Sequence, residues 1–241
     1  MSEAVLRGRK GIGTHYPYRP HFGFKQGFGM DFDVQRVLAA ISAERLRPFL
    51  AAASDSVEHA LKLYLWDIEI SAAFHLPLHA TEVALRNHLA TALVASFGPE
   101  WWTSRRFAQV AGPHEMASIR RATAGALRPG EPLAASNLIA QLSLGFWVSL
   151  LDGRYGQTLW INGVAPVFQG SPDVPERNEI EAAAQAIRTL RNRISHHEPI
   201  FSRDLSGDFG RLMQFLGWLS PAKARWIKPH CRIPALLRQK P

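Results

Sequence analysis

From Asp31 onward the apolar residues recur at three- and four-residue intervals and almost never alternate, a spacing that restricts the chain to packed helices. The clearest stretch is Glu176–His197. At about 100° per residue, Ile180, Ala183, Ala184, Ile187, Leu190 and Ile194 fall on one face, as a core stripe requires. Glu181, Gln185, Arg188, Asn192 and His196 fall on the opposite face, and Arg191 sits at the edge between them. Pro199 disfavours continuing the helix.

The rest of the chain follows the same spacing. Val34, Leu38, Ile41 and Leu46 begin a stripe that ends near Pro48–Ala53. Ser54-Asp55-Ser56 offers caps for a helix over Val57–Phe74. Pro77 is expected to break it, and a second helix is expected over Leu78–Phe97, stopping at Gly98-Pro99. Trp101-Trp102 reads as an aromatic plug, and His114–Leu127 as a short basic helix closed by Pro129-Gly130. Ala135–Leu151 is the most apolar helix, expected at the centre, and its apolar run is too short to span a bilayer. Tyr155–Phe168 is ambiguous, Gly170–Pro175 reads as a loop, and Gly210–Leu219 as a last helix. No stretch alternates with period two long enough for a strand, and no repeat of solenoid length occurs. The expectation is an all-α fold, a helical bundle of about seven helices.

The formal net charge of +8 suggests a nucleic-acid or membrane-surface partner only if the charge lies on the folded body. It does not. Residues 1–29 hold five basic side chains against Glu3, and 221–241 hold six and no acid, so 30–220 has 17 bases and 19 acids. The reading is therefore a basic extension over 1–29, rich in glycine and poorly ordered, a helical domain over 30–220, and a basic C-terminal tail over 221–241. Met30, where the pattern begins, is an alternative start. The basic ends either add salt-sensitive attraction to phosphate or are solvated. The lone Cys231 makes neither an intramolecular disulfide nor a Cys-based zinc site. The N-terminus has no apolar stretch of signal-peptide length, so a soluble, cytoplasmic protein without a membrane partner is expected.

The chemistry-bearing stretch is Arg191-Asn192-Arg193-Ile194-Ser195-His196. An imidazole near physiological pH can take a proton from a ribose 2′-OH or give one to a leaving oxygen. A guanidinium can hold phosphate oxygens and offset charge that develops in the transition state. An amide such as Asn192 can orient either partner. Such RNA cleavage needs no metal or cofactor and yields a 2′,3′-cyclic phosphate and a 5′-OH end. An Arg–His pair on an exposed helix face is also common in proteins that catalyse nothing.

This segment resembles the Arg-polar-x-x-x-His motif of HEPN (higher eukaryotes and prokaryotes nucleotide-binding) ribonucleases. The wider chain, about Val34–Ile200, is similar to the Abi-like family of bacterial abortive-infection proteins in that superfamily. Its landmarks are Ile41-Ser42-Ala43-Glu44-Arg45-Leu46, Tyr64-Leu65-Trp66, Glu82-Val83-Ala84-Leu85-Arg86-Asn87, Phe97-Gly98 ahead of Trp101-Trp102, Leu142-Ser143-Leu144-Gly145-Phe146-Trp147, and Arg191–Pro199. The resemblance implies a HEPN-like core that dimerises and sets two motifs across one cleft. It also implies metal-independent endoribonuclease activity in phage defence or toxin action, with an antitoxin or regulatory partner. Arg191, Asn192 and His196 would be catalytic, with His197, which points about 100° away from His196 on the wheel, and the outer-face Arg188 in support. The superfamily also contains inactive domains that bind RNA, nucleotide or protein, which is the alternative reading; simple dimerisation through the polar helix face is a third.

Glu82 and Arg86 are spaced to pair along a helix, worth about 0.2–0.5 kcal/mol. Either this pair fixes the helix, or Arg86 or Asn87 faces a substrate. His75, His79 and Glu82 have a spacing reminiscent of metal ligands, but Pro77 stands between the histidines and the HExxH order is absent, so no metal site is expected. Trp66, Trp147 and Trp160 read as core, whereas Trp226, among the C-terminal bases, is the one tryptophan kept as a candidate for contact with RNA. Arg120, Arg121 and Arg128 read as a solvated face rather than a phosphate patch.

Overall fold

Ser54 and Asp55 turn the chain through positive φ (49° and 60°), and the Ser56 hydroxyl then accepts the backbone N–H of His59, starting the longest helix of the protein. The computed structural model describes residues 34–127, 130, 133–168 and 175–241, and the 1–29 extension lies outside them. The described residues form helices joined by turns and short irregular links, with no strand.

Two short helices, α1 (Val34–Ile41) and α2 (Ala43–Ala52), precede α3 (Val57–Phe97). Here the structure departs from the expected break: α3 runs unbroken through Pro77. An interior proline costs a helix about 3 kcal/mol. The cost is offset because Pro77 is itself buried, as are Phe74 and Leu78 beside it, so both halves of α3 are held in the core. Helix α3 packs against α2 and against helices from the later part of the chain, and serves as the spine of the fold.

A 3₁₀ turn, Trp101–Thr103, and the helices α4 (Arg105–Val110) and α5 (Pro113–Ala126) follow. Trp101 is fully buried, with its ring edge-on to Phe107 and Trp147 and stacked on Phe146, so the expected plug is present. The apolar stretch expected as one helix is two, α6 (Ala135–Gln141) and α7 (Leu144–Ser149). Leu142 is extended (ψ 127°), and the Ser143 hydroxyl accepts the Phe146 N–H and starts a new helix. Gly156–Val164 is π-helical, flanked by 3₁₀ turns. Eleven α-helices are thus described where the spacing predicts about seven: Ser42 and Ser143 each cap a second helix within an expected one, and Arg105–Val110 and the 221–241 segment add helices that the spacing does not predict.

Helix α8 (Arg177–Ser195) begins with a capping box between Glu176 and Glu179. All six residues of its predicted stripe, Ile180 to Ile194, are buried. Helix α9 (Leu205–Leu219) packs against both α3 and α8. Residues 221–241, read from composition as a basic tail, are built into the fold as α10 (Pro221–Ile227), a 3₁₀ turn and α11 (Ile233–Leu237). Ile233 and Leu236 are buried, the Trp66 indole N–H donates to the Leu236 carbonyl (2.8 Å), and Lys240 donates to the Phe201 carbonyl (2.8 Å). Apolar spacing inside the segment, not its net charge, decides its placement. No helix among the described residues is long and apolar enough to cross a membrane.

Candidate functional site

The C-terminal end of α8 lies against the middle of α3, and between them opens a cleft of about 220 Å³. Its lining includes His75, His79, Glu82 and Arg86 from α3, and Arg191 and Ser195 from α8. Continuity through Pro77 gathers the α3 side, because residues four apart on an unbroken helix share a face. The sequence reading treated Pro77 as disturbing that face and so passed over His75 and His79 as cleft residues. The signal was present in their four-residue spacing. Among the described residues no group of three His, Cys, Asp or Glu side chains is arranged to hold a metal ion.

The expected Glu82–Arg86 pair does not form. Glu82 Oε2 instead meets Arg191 Nε at 3.6 Å, across from α3 to α8. Arg86 keeps its place on the wall of the cleft with its Nε buried and without an acceptor. Helical spacing permits a pair four residues apart, but α8 brings a competing guanidinium within reach of the same carboxylate.

Asn192 and His196 are exposed and lie outside the lining of this cleft, on the outer side of α8 as the wheel predicts. Arg188 is half-buried on the same helix, its Cδ 4.0 Å from where a side chain on Gly145 would begin. His196 is the C-cap; its N–H donates to the Asn192 carbonyl. His197 has φ +56°, its N–H donates to the Ile194 carbonyl (3.1 Å), and the Glu198 N–H donates to the Arg193 carbonyl (2.8 Å). This paired closure is a Schellman motif, with histidine where glycine is usual. The Arg45 guanidinium donates to the His197 carbonyl and ties α2 to the turn.

His197 faces a different groove, about 660 Å³, shared with Arg45, Tyr64, Asp67 and His75. Asp67 there is nearly buried and accepts the Ile200 N–H at 2.9 Å. Burial raises its pKa against the opposing backbone hydrogen bonds of Ile200 and Phe201. Its role is to hold the chain leaving α8. His75 borders both openings and so marks where they meet.

Of the seven residues singled out from sequence, the cleft therefore gathers Arg191, Glu82 and Arg86. Asn192 and His196 stand beside it on the exposed end of α8, and His197 terminates the helix. Trp66 and Trp147 are buried, Trp160 is partly buried, and Trp226 is 66% exposed. Comparison with protein-family models, with curated proteins and with solved structures gives no match.

Proposed function

We propose that this protein is a metal-independent endoribonuclease of the abortive-infection, toxin type, acting in phage defence on the HEPN plan. The observation that carries the proposal is the order Arg191-Asn192 … His196 on the open end of α8, with Arg191 in a cleft and His196 accessible one turn further on. In this reading a His196 imidazole takes the proton of a ribose 2′-OH. The 2′-oxygen bonds to the adjacent phosphorus as the bond from phosphorus to the 5′-oxygen breaks, and the leaving 5′-oxygen takes a proton from the second imidazole of a homodimer. Arg191 holds the non-bridging oxygens, where positive charge offsets what develops in the transition state. Asn192 orients the phosphate. Trp226, exposed beside Arg225, offers a ring on which an unpaired base can stack. The protein would act in the cytoplasm and be held silent by an antitoxin or regulatory partner.

A second reading has a specific observation in its favour. Within one chain Arg191 lines the cleft and His196 does not, as suits a non-catalytic HEPN-type module that binds RNA, nucleotide or protein. Purified protein incubated with single-stranded RNA in EDTA separates the two. Cleaved 5′-OH ends that depend on His196 support the nuclease, and stable binding without cleavage supports the module.

A further inference from the structure

We propose that the groove between α9 and α10 docks an acidic amphipathic helix of a protein partner. The groove shares no residue with the α3/α8 cleft and does not depend on the chemistry of His196.

The first observation is the lining. The groove holds about 570 Å³ and follows α9 over residues 206–214, with α10 as its other wall. Phe209 and Met213 of α9 and Ala224 of α10 form its floor, each half-buried and packed against the core. A methionine thioether adapts to whatever side chain is set against it. Gly210 adds bare backbone to the floor, and a Cβ there would meet nothing within 4 Å. A partner can therefore approach α9 closely at that point.

The second observation is charge. Arg225 and Lys228, three apart on α10 and both exposed, form the rim. Neither meets a carboxylate among the described residues. No carboxylate is among the described residues that line the groove. Those at the start of α9 are engaged elsewhere. Asp204 accepts the Gly207 N–H at 2.9 Å, and the buried Asp208 accepts from Arg203 at 2.8 Å and from Arg211 at 3.1 Å. The rim thus asks for carboxylates from outside the chain, and the floor asks for apolar side chains.

One occupant supplies both. A helix with apolar residues at i, i+3, i+4 and i+7 covers about two turns of a groove, and acidic residues along its flank meet the rim. Single-stranded RNA is less suited to this place. The exposed ring of α10, Trp226, is not part of the lining and sits about 160–200° round the helix from Lys228 and Ala224. Any base stacked on Trp226 therefore lies on the other side of α10.

The test uses the full chain and a labelled synthetic peptide, helical, with leucines at i, i+3, i+4 and i+7 and glutamates along one flank. Binding is followed by fluorescence anisotropy. One comparison peptide carries lysine for glutamate, and another has the same composition with the leucine spacing scrambled. The variants are R225Q/K228Q, which removes the rim charge, G210Q, which fills the floor, and R47Q, a charge control on the exposed side of α2. Gly210 is exposed and has no positive φ, so glutamine there favours the helix and the variant keeps its fold, as circular dichroism checks. The proposal predicts saturable binding of the acidic peptide by the wild type, weakened at least tenfold in R225Q/K228Q and in G210Q and unchanged in R47Q. Both comparison peptides should bind at least tenfold more weakly. Absence of saturable binding by the wild type, equal binding of the scrambled peptide, or undiminished binding by G210Q would overturn the proposal. Two further outcomes would overturn it in favour of another occupant. One is single-stranded RNA binding that falls in R225Q/K228Q and G210Q and is not displaced by the acidic peptide. The other is a concentration-dependent dimer, measured by sedimentation, that is lost in G210Q.

Discussion

Glu82 on α3 and Arg191 on α8 meet at 3.6 Å across the cleft, and this contact holds in place the guanidinium that the proposed chemistry requires. Both side chains are partly exposed, 25% and 36%, so the pair adds only about 0–1 kcal/mol to stability. A phosphate approaching Arg191 must compete with Glu82 for the same donor. Replacing Glu82 by Gln should therefore tighten RNA binding several-fold. It should also steepen the dependence of log K on log salt by about 0.7, the increment for one more contact to a single strand. Fluorescence anisotropy across a salt series measures both, and unchanged affinity with unchanged slope would show that Glu82 does not compete.

His197 serves the backbone more than the reaction. It occupies the left-handed position of the α8 terminus at φ +56°, where residues other than glycine are strained. H197G should fold with stability within about 1 kcal/mol of the wild type, the lost strain balanced against the greater freedom of the unfolded chain. H197V, with a branched side chain in the same place, should lose about 1–2 kcal/mol. Cleavage should survive H197G. Urea unfolding and an RNA cleavage assay check the two statements, and a catalytic loss in a well-folded H197G would contradict the assignment.

Glu115 should make the fold sensitive to acid. The carboxylate is fully buried and accepts a hydrogen bond from Arg154 at 2.8 Å. Burial acts to raise its pKa, but contacts from Ser149, its own backbone, Tyr155 and Arg154 outweigh burial and bring it below the ordinary 4.5. A carboxyl whose folded pKa is depressed contributes stability above its unfolded value, and that contribution is lost as pH falls through the folded value. E115Q should therefore be less stable than the wild type at pH 7, by about 1–3 kcal/mol. The gap should close as pH is lowered below 4.5. Denaturant midpoints at a series of pH values measure it, and a gap independent of pH would refute the account.

Trp226 is 66% exposed, so its removal should change stability by no more than about 0.5 kcal/mol. If it stacks on an RNA base, W226A should weaken binding by about 1–3 kcal/mol. The indole fluorescence of the wild type should fall on adding single-stranded RNA. Equal affinity of W226A and the wild type would remove Trp226 from the interface.

The helical class and the core of α8 were legible in the sequence because one helix's apolar spacing depends only on its own residues. Ile180, Ala183, Ala184, Ile187, Leu190 and Ile194 all lie inside as the wheel requires. What depended on a second element was not legible. Pro77 reads locally as a break, and only burial against the rest of the core keeps α3 whole. Residues 221–241 look like a solvated tail by charge, while Ile227, Ile233 and Leu236 dock them. Glu82 has a permitted partner in Arg86 and takes Arg191 instead, a choice set by how α8 lies on α3. The cleft residues His75 and His79 were hidden for the same reason.

The most direct measurement compares wild-type protein with H196A and R191A on a labelled RNA in EDTA, with the ends of the products identified. His196 is exposed and forms no part of the core, so H196A should fold normally. The account predicts cleavage by the wild type to 2′,3′-cyclic phosphate and 5′-OH ends, and a loss of about 10²-fold or more in each variant, the range for removing a general acid–base group or a charge-stabilising donor. Undiminished cleavage by well-folded H196A, or wild-type cleavage abolished by EDTA, would contradict it.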